Sequence, residues 1–318
     1  MTSKERVMAV LNGEKADRAP VCFWHHFGSL APEDTVREHV RFFRESGEDI
    51  LKMMCDEFFV YPLEGVRSAD DYRALKPQGY DSYYVRGQAE RAEQMNDALG
   101  GEVITFYNAF SPYATLKHAI GQDAALQLIR EHEDAAIHAL EVICEDTVFM
   151  IERVLRESGT TGMMLCLQGA EEGLFTDEEY ARLIAPTERR VVECARSLSE
   201  TNLLHLCGWD GVKDHLERWK DYETSIVNWD VDVEGITLKQ GKEYFGGRVV
   251  LGGFNNRPGT LLHAGSREDV QAFTKKLLAE TGEEGVIIGA DCSLPEDIDR
   301  NRIRWVIEAA EQYALENR

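Results

Sequence analysis

Short apolar runs alternate with longer amphipathic stretches along the whole chain. Eight runs read as strands: residues 19–24, 49–54, 103–106, 162–167, 202–207, 225–229, 248–252 and 285–289. Most are apolar on consecutive residues rather than on every second one, the pattern of parallel strands buried on both faces. The stretches between them read as helices. Thr2 and Glu5 have capping-box spacing ahead of an apolar stripe at Val7, Met8, Val10 and Leu11, and Thr176 with Glu179 repeats the box before a helix over 177–199. Further helices are predicted over 34–46, 123–157, 211–221, 266–281 and 299–316, and Pro186 should kink the helix that contains it. Residues 68–101 are polar without a clear period and read as an irregular insertion with some helix. Eight strand–helix alternations in one chain predict an α/β fold, a single-domain (β/α)8 TIM barrel spanning 1–318. The rival, a doubly wound open sheet, lacks its glycine-rich dinucleotide fingerprint after any of the runs.

Charge and cysteine usage narrow the function. Against 35 Lys and Arg stand 57 Asp and Glu, a net charge of −22. Such a surface repels phosphate backbones and anionic lipid, which argues against a nucleic-acid or membrane partner. Lys4, Glu5 and Arg6 interrupt the first residues, so no signal-peptide apolar core is visible, and the uncharged stretch 158–170 is too short to span a bilayer. Seven widely spread cysteines in a chain of 318 residues fit reduced thiols in a cytoplasm rather than a disulfide scaffold.

Reactive side chains gather where the predicted strands end, the face on which barrels of this type carry their active sites. His25 and His26 follow the first run, and Asp56 and Glu57 the second. Tyr107 and Asn108 follow the third, and Gln168, Glu171 and Glu172 the fourth. His205 and Cys207 lie in the fifth, with Asn228, Asp230, Asn255, Asn256, Asp291 and Cys292 after the later ones. On a strand, residues two apart face one side, so His205 and Cys207 can point together. Cys292, after the last strand, can complete a set of three. Imidazole with two thiolates suits Zn²⁺ and leaves a fourth position for substrate. The plain alternative is that these cysteines are small buried hydrophobes, which is how Cys22, Cys55, Cys144, Cys166 and Cys194 read. Asp56, Glu171 and His25 are the candidate acid–base groups, although a carboxylate beside a helix start also serves as a cap, and Glu171 and Asp291 are both candidates for the fourth metal position. Trp24, Phe27, Tyr107, Gln168, Asn228 and Asn255 are candidate substrate-binding residues. With Phe58, Phe59 and Phe254, the aromatic members would suit an aromatic small molecule. Gly252-Gly253 marks a turn or a close backbone approach to a ligand.

The stretches Arg6 to Ala9, Gly13-Glu14, Asp17-Arg18, Pro20-Val21, Asp49-Ile50-Leu51 leading to Asp56, Pro112 to Leu116 with Gly121, His205 to Gly208, Gly252 to Asn255 and Leu294-Pro295 to Asn301 resemble the uroporphyrinogen decarboxylase superfamily over nearly the whole chain. The resemblance implies a (β/α)8 barrel. True decarboxylases of the family carry an arginine-rich stretch after the first strand that grips substrate carboxylates. Here residues 24–30 read Trp-His-His-Phe-Gly-Ser-Leu, and His118 stands where a tyrosine is expected. Asp56 matches the catalytic aspartate. The H-x-C pair with a distant cysteine is similar to the corrinoid-dependent methyltransferase branch, which implies zinc on His205, Cys207 and Cys292, although Cys292 follows Asp291 rather than glycine. That branch implies methyl transfer between a small molecule, a methoxy compound or a thiol, and a corrinoid (cobalamin). The chain has no D-x-H-x-x-G corrinoid-binding stretch, so the corrinoid is expected on a separate protein. A homodimer is compatible with this reading. Two other readings remain: a metal-independent decarboxylase of a small acid using Asp56, and a non-catalytic binding scaffold.

Overall fold

The computed structural model describes residues 1–27, 32–55, 60–208 and 211–317. Seven strands, β1 (Ile50–Met53), β2 (Ile104–Phe110), β3 (Gly162–Leu167), β4 (Leu203–Leu206), β5 (Ile226–Trp229), β6 (Val249–Phe254) and β7 (Val286–Ala290), lie side by side in chain order, every pair parallel. Their residues are buried almost without exception, which is why their sequences are continuously apolar.

The first predicted run closes the barrel without forming a regular strand. Cys22 N donates to Ile288 O at 2.9 Å and Ile288 N to Pro20 O at 2.8 Å, while Asp49 N donates to Val21 O on the other side. The segment therefore bridges the β7 and β1 edges as the eighth stave of a TIM barrel. Its ladder toward β1 is broken for a local reason. Val21 N donates to the Asp49 carboxylate and Phe23 N to the Glu48 carboxylate, at 2.9 and 2.7 Å, so acid side chains take amides that a neighbouring backbone would otherwise accept.

The inside of the barrel is filled by Cys22, Trp24, Ile50, Ile104, Phe106, Met164, Leu203, Ile226, Leu251 and Ile287. A second, larger cluster fills the shell between strands and helices. Beneath the barrel, Asp49 is fully buried between two arginines: Arg6 Nη1 and Arg18 Nη1 each reach it at 2.7 Å, and Arg6 also grips Asp17. The N-terminal helix Ser3–Leu11, capped by Thr2 and Glu5 as predicted, is held there by these ion pairs.

Several helices differ from the pattern reading. Residues 68–101 contain a well-formed helix, Tyr83–Leu99, whose buried face is built largely from small or polar residues, Gly87, Gln88, Ala89, Ala92 and Asn96, so an apolar period is faint. The helix expected over 123–157 is two, Gln122–Glu131 and Glu133–Glu157, separated at His132. Residues 211–221 hold only the short 3-10 turn Leu216–Trp219 among their described structure. Pro186 acts as predicted: it lacks an N–H, and just ahead of it the chain widens into a π-turn, Tyr180–Ile184, before Ala185–Leu198. No helix among the described residues is long and apolar enough to cross a membrane.

β3 begins at Gly162, where an added Cβ would lie 1.6 Å from the Thr201 carbonyl oxygen. Backbone cannot yield as a side chain can. Gly162→Ala is expected to lower stability by about 3 kcal/mol, the upper end of ordinary overpacking, read from urea unfolding. A change below about 1 kcal/mol would contradict this packing.

Candidate metal centre

β3 and β4 set the centre by register. Cys166 lies opposite His205, and both point into the barrel. Cys207, two residues beyond His205, continues the ladder through its N–H to Leu167 O at 3.1 Å, so it faces the same way. The donor atoms of Cys166, His205 and Cys207 all lie within 4.8 Å of one another. Cys292, just past β7, brings its Sγ to 3.5 Å from His205 Nε2. All four line one cavity of about 380 Å³ at the C-terminal ends of the strands.

Asn228 on β5 orients the imidazole. Its Nδ2 donates to Leu251 O at 2.9 Å and Ala290 O at 3.0 Å, which leaves Oδ1 to accept from His205 Nδ1–H. The proton is thereby placed on Nδ1, and the Nε2 lone pair points at the sulfurs. At Gly252, φ +145°, an added Cβ would lie 3.3 Å from Asn228 Nδ2, and at Gly253, φ +111°, it would lie 2.6 Å from the Leu277 side chain, so the pair makes room for this amide and for the packing behind it. Asn228→Leu should weaken zinc binding about 10- to 100-fold in competition with a chelator, the usual cost of losing such a partner. Unchanged affinity would refute this positioning role.

The sulfurs and the imidazole shape one another's protonation. Burial opposes charge on His205, but the neighbouring Cys292 and Cys166 sulfurs overcome it and raise the imidazole to about 9. Hydrogen bonds with Cys207 pull Cys292 and Cys166 below the ordinary thiol range, and the same bonds push Cys207 up. Without a metal the set is thus drawn toward an imidazolium among thiolates, and a cation bound there would take the place of the Nε2 proton. The donor chemistry fits Zn²⁺.

The structure gathers some predicted residues here and not others. Trp24 lines the cavity, with Nε1 donating to Ser293 Oγ at 3.0 Å and its ring 5.8 Å edge-on to His205. Gln168 lines it too, with Nε2 at 3.5 Å from Cys207 Sγ and its Oε1 buried without a hydrogen bond. Asn228 acts through His205 and does not line the cavity.

His25 corrects the expectation of a catalytic histidine. Alternation turns it away from the cavity onto Phe27 and Phe42, where burial lowers its pKa, and His26 lines the cavity instead. Phe27 packs on His25 and His39. Tyr107 and Phe254 face the outer shell: Tyr107 donates to Gln88, and Phe254 packs between Phe23 and Phe273. Asn255 is occupied at the rim by Asp232 and Arg257, while Asn256 lines the cavity.

Glu171 is buried but accepts from Gly169 N at 2.6 Å and sits 3.6 Å from Lys117 Nζ, outside the cavity lining. Asp291, pushed up to about 8 by burial and the Asp230 charge, is likewise not part of that lining. Asp56, with Glu57, Phe58 and Phe59, lies outside the described residues.

Several cavity residues were not proposed for the site from the sequence. Cys166 hides in an apolar run and reads as core until the register is known. Lys52 is a lone charge inside the apolar run of β1, buried at 4% exposure, and that position was its signal. His118 stacks on Phe110, and Arg257 pairs with Asp230 at 2.6 Å. Arg257 comes from a segment without a motif, and His118 stands out only as a departure from the family's tyrosine.

Comparison with known proteins follows this geometry. The uroporphyrinogen decarboxylase (URO-D) family description matches residues 60–313, and the chain belongs to that family. It is 22% identical over 249 residues to the Methanosarcina mazei methylcobamide:CoM methyltransferase MtbA, covering 78% of this chain and 70% of that protein. It is 21% identical over the same length to the Methanosarcina acetivorans MtbA. Among solved structures, a methyltransferase from Methanosarcina mazei superposes with a TM-score of 0.76 at 17% identity, over 98% of this chain and 99% of that one. A B12-independent methionine synthase from Shewanella sp. W3-18-1 shares the fold with a TM-score of 0.59 at 12% identity, over 94% and 96%.

Proposed function

We propose that this chain is a zinc-dependent methyltransferase that moves a methyl group between a corrinoid carried by a separate protein and a small molecule, with a thiol as the favoured partner. The observation that carries it is the convergence of His205 Nε2 with the Cys166, Cys207 and Cys292 sulfurs at one cavity on the active face of the barrel. Similarity to methylcobamide:CoM methyltransferases supports the choice of donor and acceptor.

When bound, zinc supplies Lewis acidity that keeps a thiol in its nucleophilic thiolate form near neutral pH. His205, Cys207 and Cys292 would hold it. The chain's other residues shape the pocket. Asn228 keeps Nε2 aimed at the metal. Trp24 and Phe110 give the cavity apolar walls that limit water, and Lys52 adds positive charge, whereas Arg257 is paired with Asp230 at the same cavity. A cavity of about 380 Å³ fits a small molecule and is too small for a corrinoid, which would have to meet it from the barrel mouth. Of the residues expected to suit an aromatic substrate, such as an aromatic methoxy compound, only Trp24 lines the cavity among the described residues. That is why a thiol is favoured here.

The test is methyl transfer from methylcobalamin to 2-mercaptoethanesulfonate. Protein purified without chelator is expected to be active, to lose activity on stripping, and to regain it with Zn²⁺. Protein that takes up no zinc and shows no transfer in any of the three states would remove the proposal.

A further inference from the structure

We infer that Cys166 is a fourth metal donor, so that three thiolates and one imidazole of this chain complete the centre in the absence of substrate. The inference rests on the metal reading above and extends it. The H-x-C pattern with Cys292 supplies three donors and leaves the fourth open. The structure offers three claimants for that place, and two of them do not line the cavity. Glu171 is held by Gly169 N–H and Lys117 and does not line the cavity. Asp291 accepts from Asp232 N and lies against Asp230.

Cys166 differs on each count. Register places it directly across from His205 on the neighbouring strand, it lines the cavity, and its Sγ lies within 4.8 Å of both the His205 and Cys207 donor atoms. Cys207 is in hydrogen-bond contact with Cys166 on one side and Cys292 on the other. Donors of a tetrahedral zinc site lie about 3.5–4 Å apart, given zinc–sulfur bonds of about 2.3 Å. The Cys166, His205 and Cys207 donors lie within 4.8 Å of one another, and Cys292 Sγ lies 3.5 Å from His205 Nε2, close to that spacing.

Charge gives an independent argument. Zn²⁺ with two thiolates and a neutral imidazole is neutral, and a third thiolate makes it an anion. A buried anion needs a cation. Lys52 lines the same cavity at 4% exposure, and its ammonium has no carboxylate partner among the described residues. It rests against Met54 Sδ and 5.1 Å from the centre of the Trp24 ring, the ring that abuts His205. A three-thiolate centre supplies the missing counter-charge. Such a set would be closed by the chain itself, so a substrate thiol could join it only if one chain thiolate left and took up the thiol's proton.

X-ray absorption at the zinc edge of substrate-free protein tests this without an activity assay. The expected first shell is three sulfurs and one nitrogen in the wild type, and two sulfurs with one nitrogen and one oxygen in Cys166→Ser. Zinc retention by that variant against a chelator should fall at least about tenfold, since losing even an outer partner costs that much. A wild-type shell of two sulfurs, one nitrogen and one oxygen overturns the role of Cys166 and leaves the proposed function standing. A protein that takes up no zinc overturns both. The wild-type count decides the question even if the variant fails to fold.

Discussion

Cys207→Ser is expected to lose its zinc, falling from about one per chain to none, and to slow methyl transfer by about 1,000-fold or more. The magnitude follows from the several kcal/mol that a Lewis-acid metal contributes, with each 1.36 kcal/mol worth tenfold in rate. Cys207 is the hub of the centre: it contacts Cys166, Cys292 and Gln168 and is two residues from His205. Serine is smaller than cysteine and sits in the same pocket, so the barrel should remain folded, which circular dichroism would establish. Metal analysis and the methylcobalamin assay read the result. A variant that keeps its zinc, or loses zinc while staying within tenfold of wild-type activity, would show that the cluster is not the reactive centre. The metal-independent decarboxylase reading through Asp56 instead requires that the wild type transfer no methyl group and that decarboxylation be indifferent to this substitution.

The largest stability effect is expected at the opposite end of the barrel. Asp49→Ala removes the carboxylate shared by the buried Arg6 and Arg18, which also accepts from Val21 N, and leaves Arg6 with the half-buried Asp17 and Arg18 with the exposed Glu311 at 3.5 Å. Breaking a buried ion pair from one side strands its partner charges and costs about 3–5 kcal/mol. Urea unfolding should show this loss with an unchanged slope. The zinc content of the fraction that remains folded should match wild type, because the ion pairs lie below the barrel and the metal donors above it. This division agrees with the rule that the N-terminal face of such barrels serves stability and the C-terminal face chemistry. A loss under about 1 kcal/mol would mean that water reaches the two arginines.

The motif resemblance at Arg6, Asp17, Arg18 and Asp49 takes on a physical meaning here. These residues are similar to the family's opening because the N-terminal helix must be fastened under the first strand, not because they touch substrate. The missing arginines after residue 24 have the complementary meaning: the cavity's described cationic lining is Lys52 and Arg257 with histidines, poor equipment for a substrate bearing many carboxylates.

By itself, the sequence determined the strands and the pair at the heart of the site. Parallel strands buried on both faces must be apolar at every position, so β1 to β7 stand out as runs, and the period of two on any strand sets His205 and Cys207 on one side. What it left undecided was the phase of each strand, meaning which alternate set faces the barrel interior. Phase decided that His26 and not His25 lines the cavity, that Tyr107 and Phe254 belong to the outer shell, and that Asn228 serves the imidazole rather than the substrate. It also brought Cys166, indistinguishable in sequence from a core residue, opposite His205. A strand buried on both faces carries no polar side to mark its orientation. Only barrel closure, through the inter-strand register, could choose between the two.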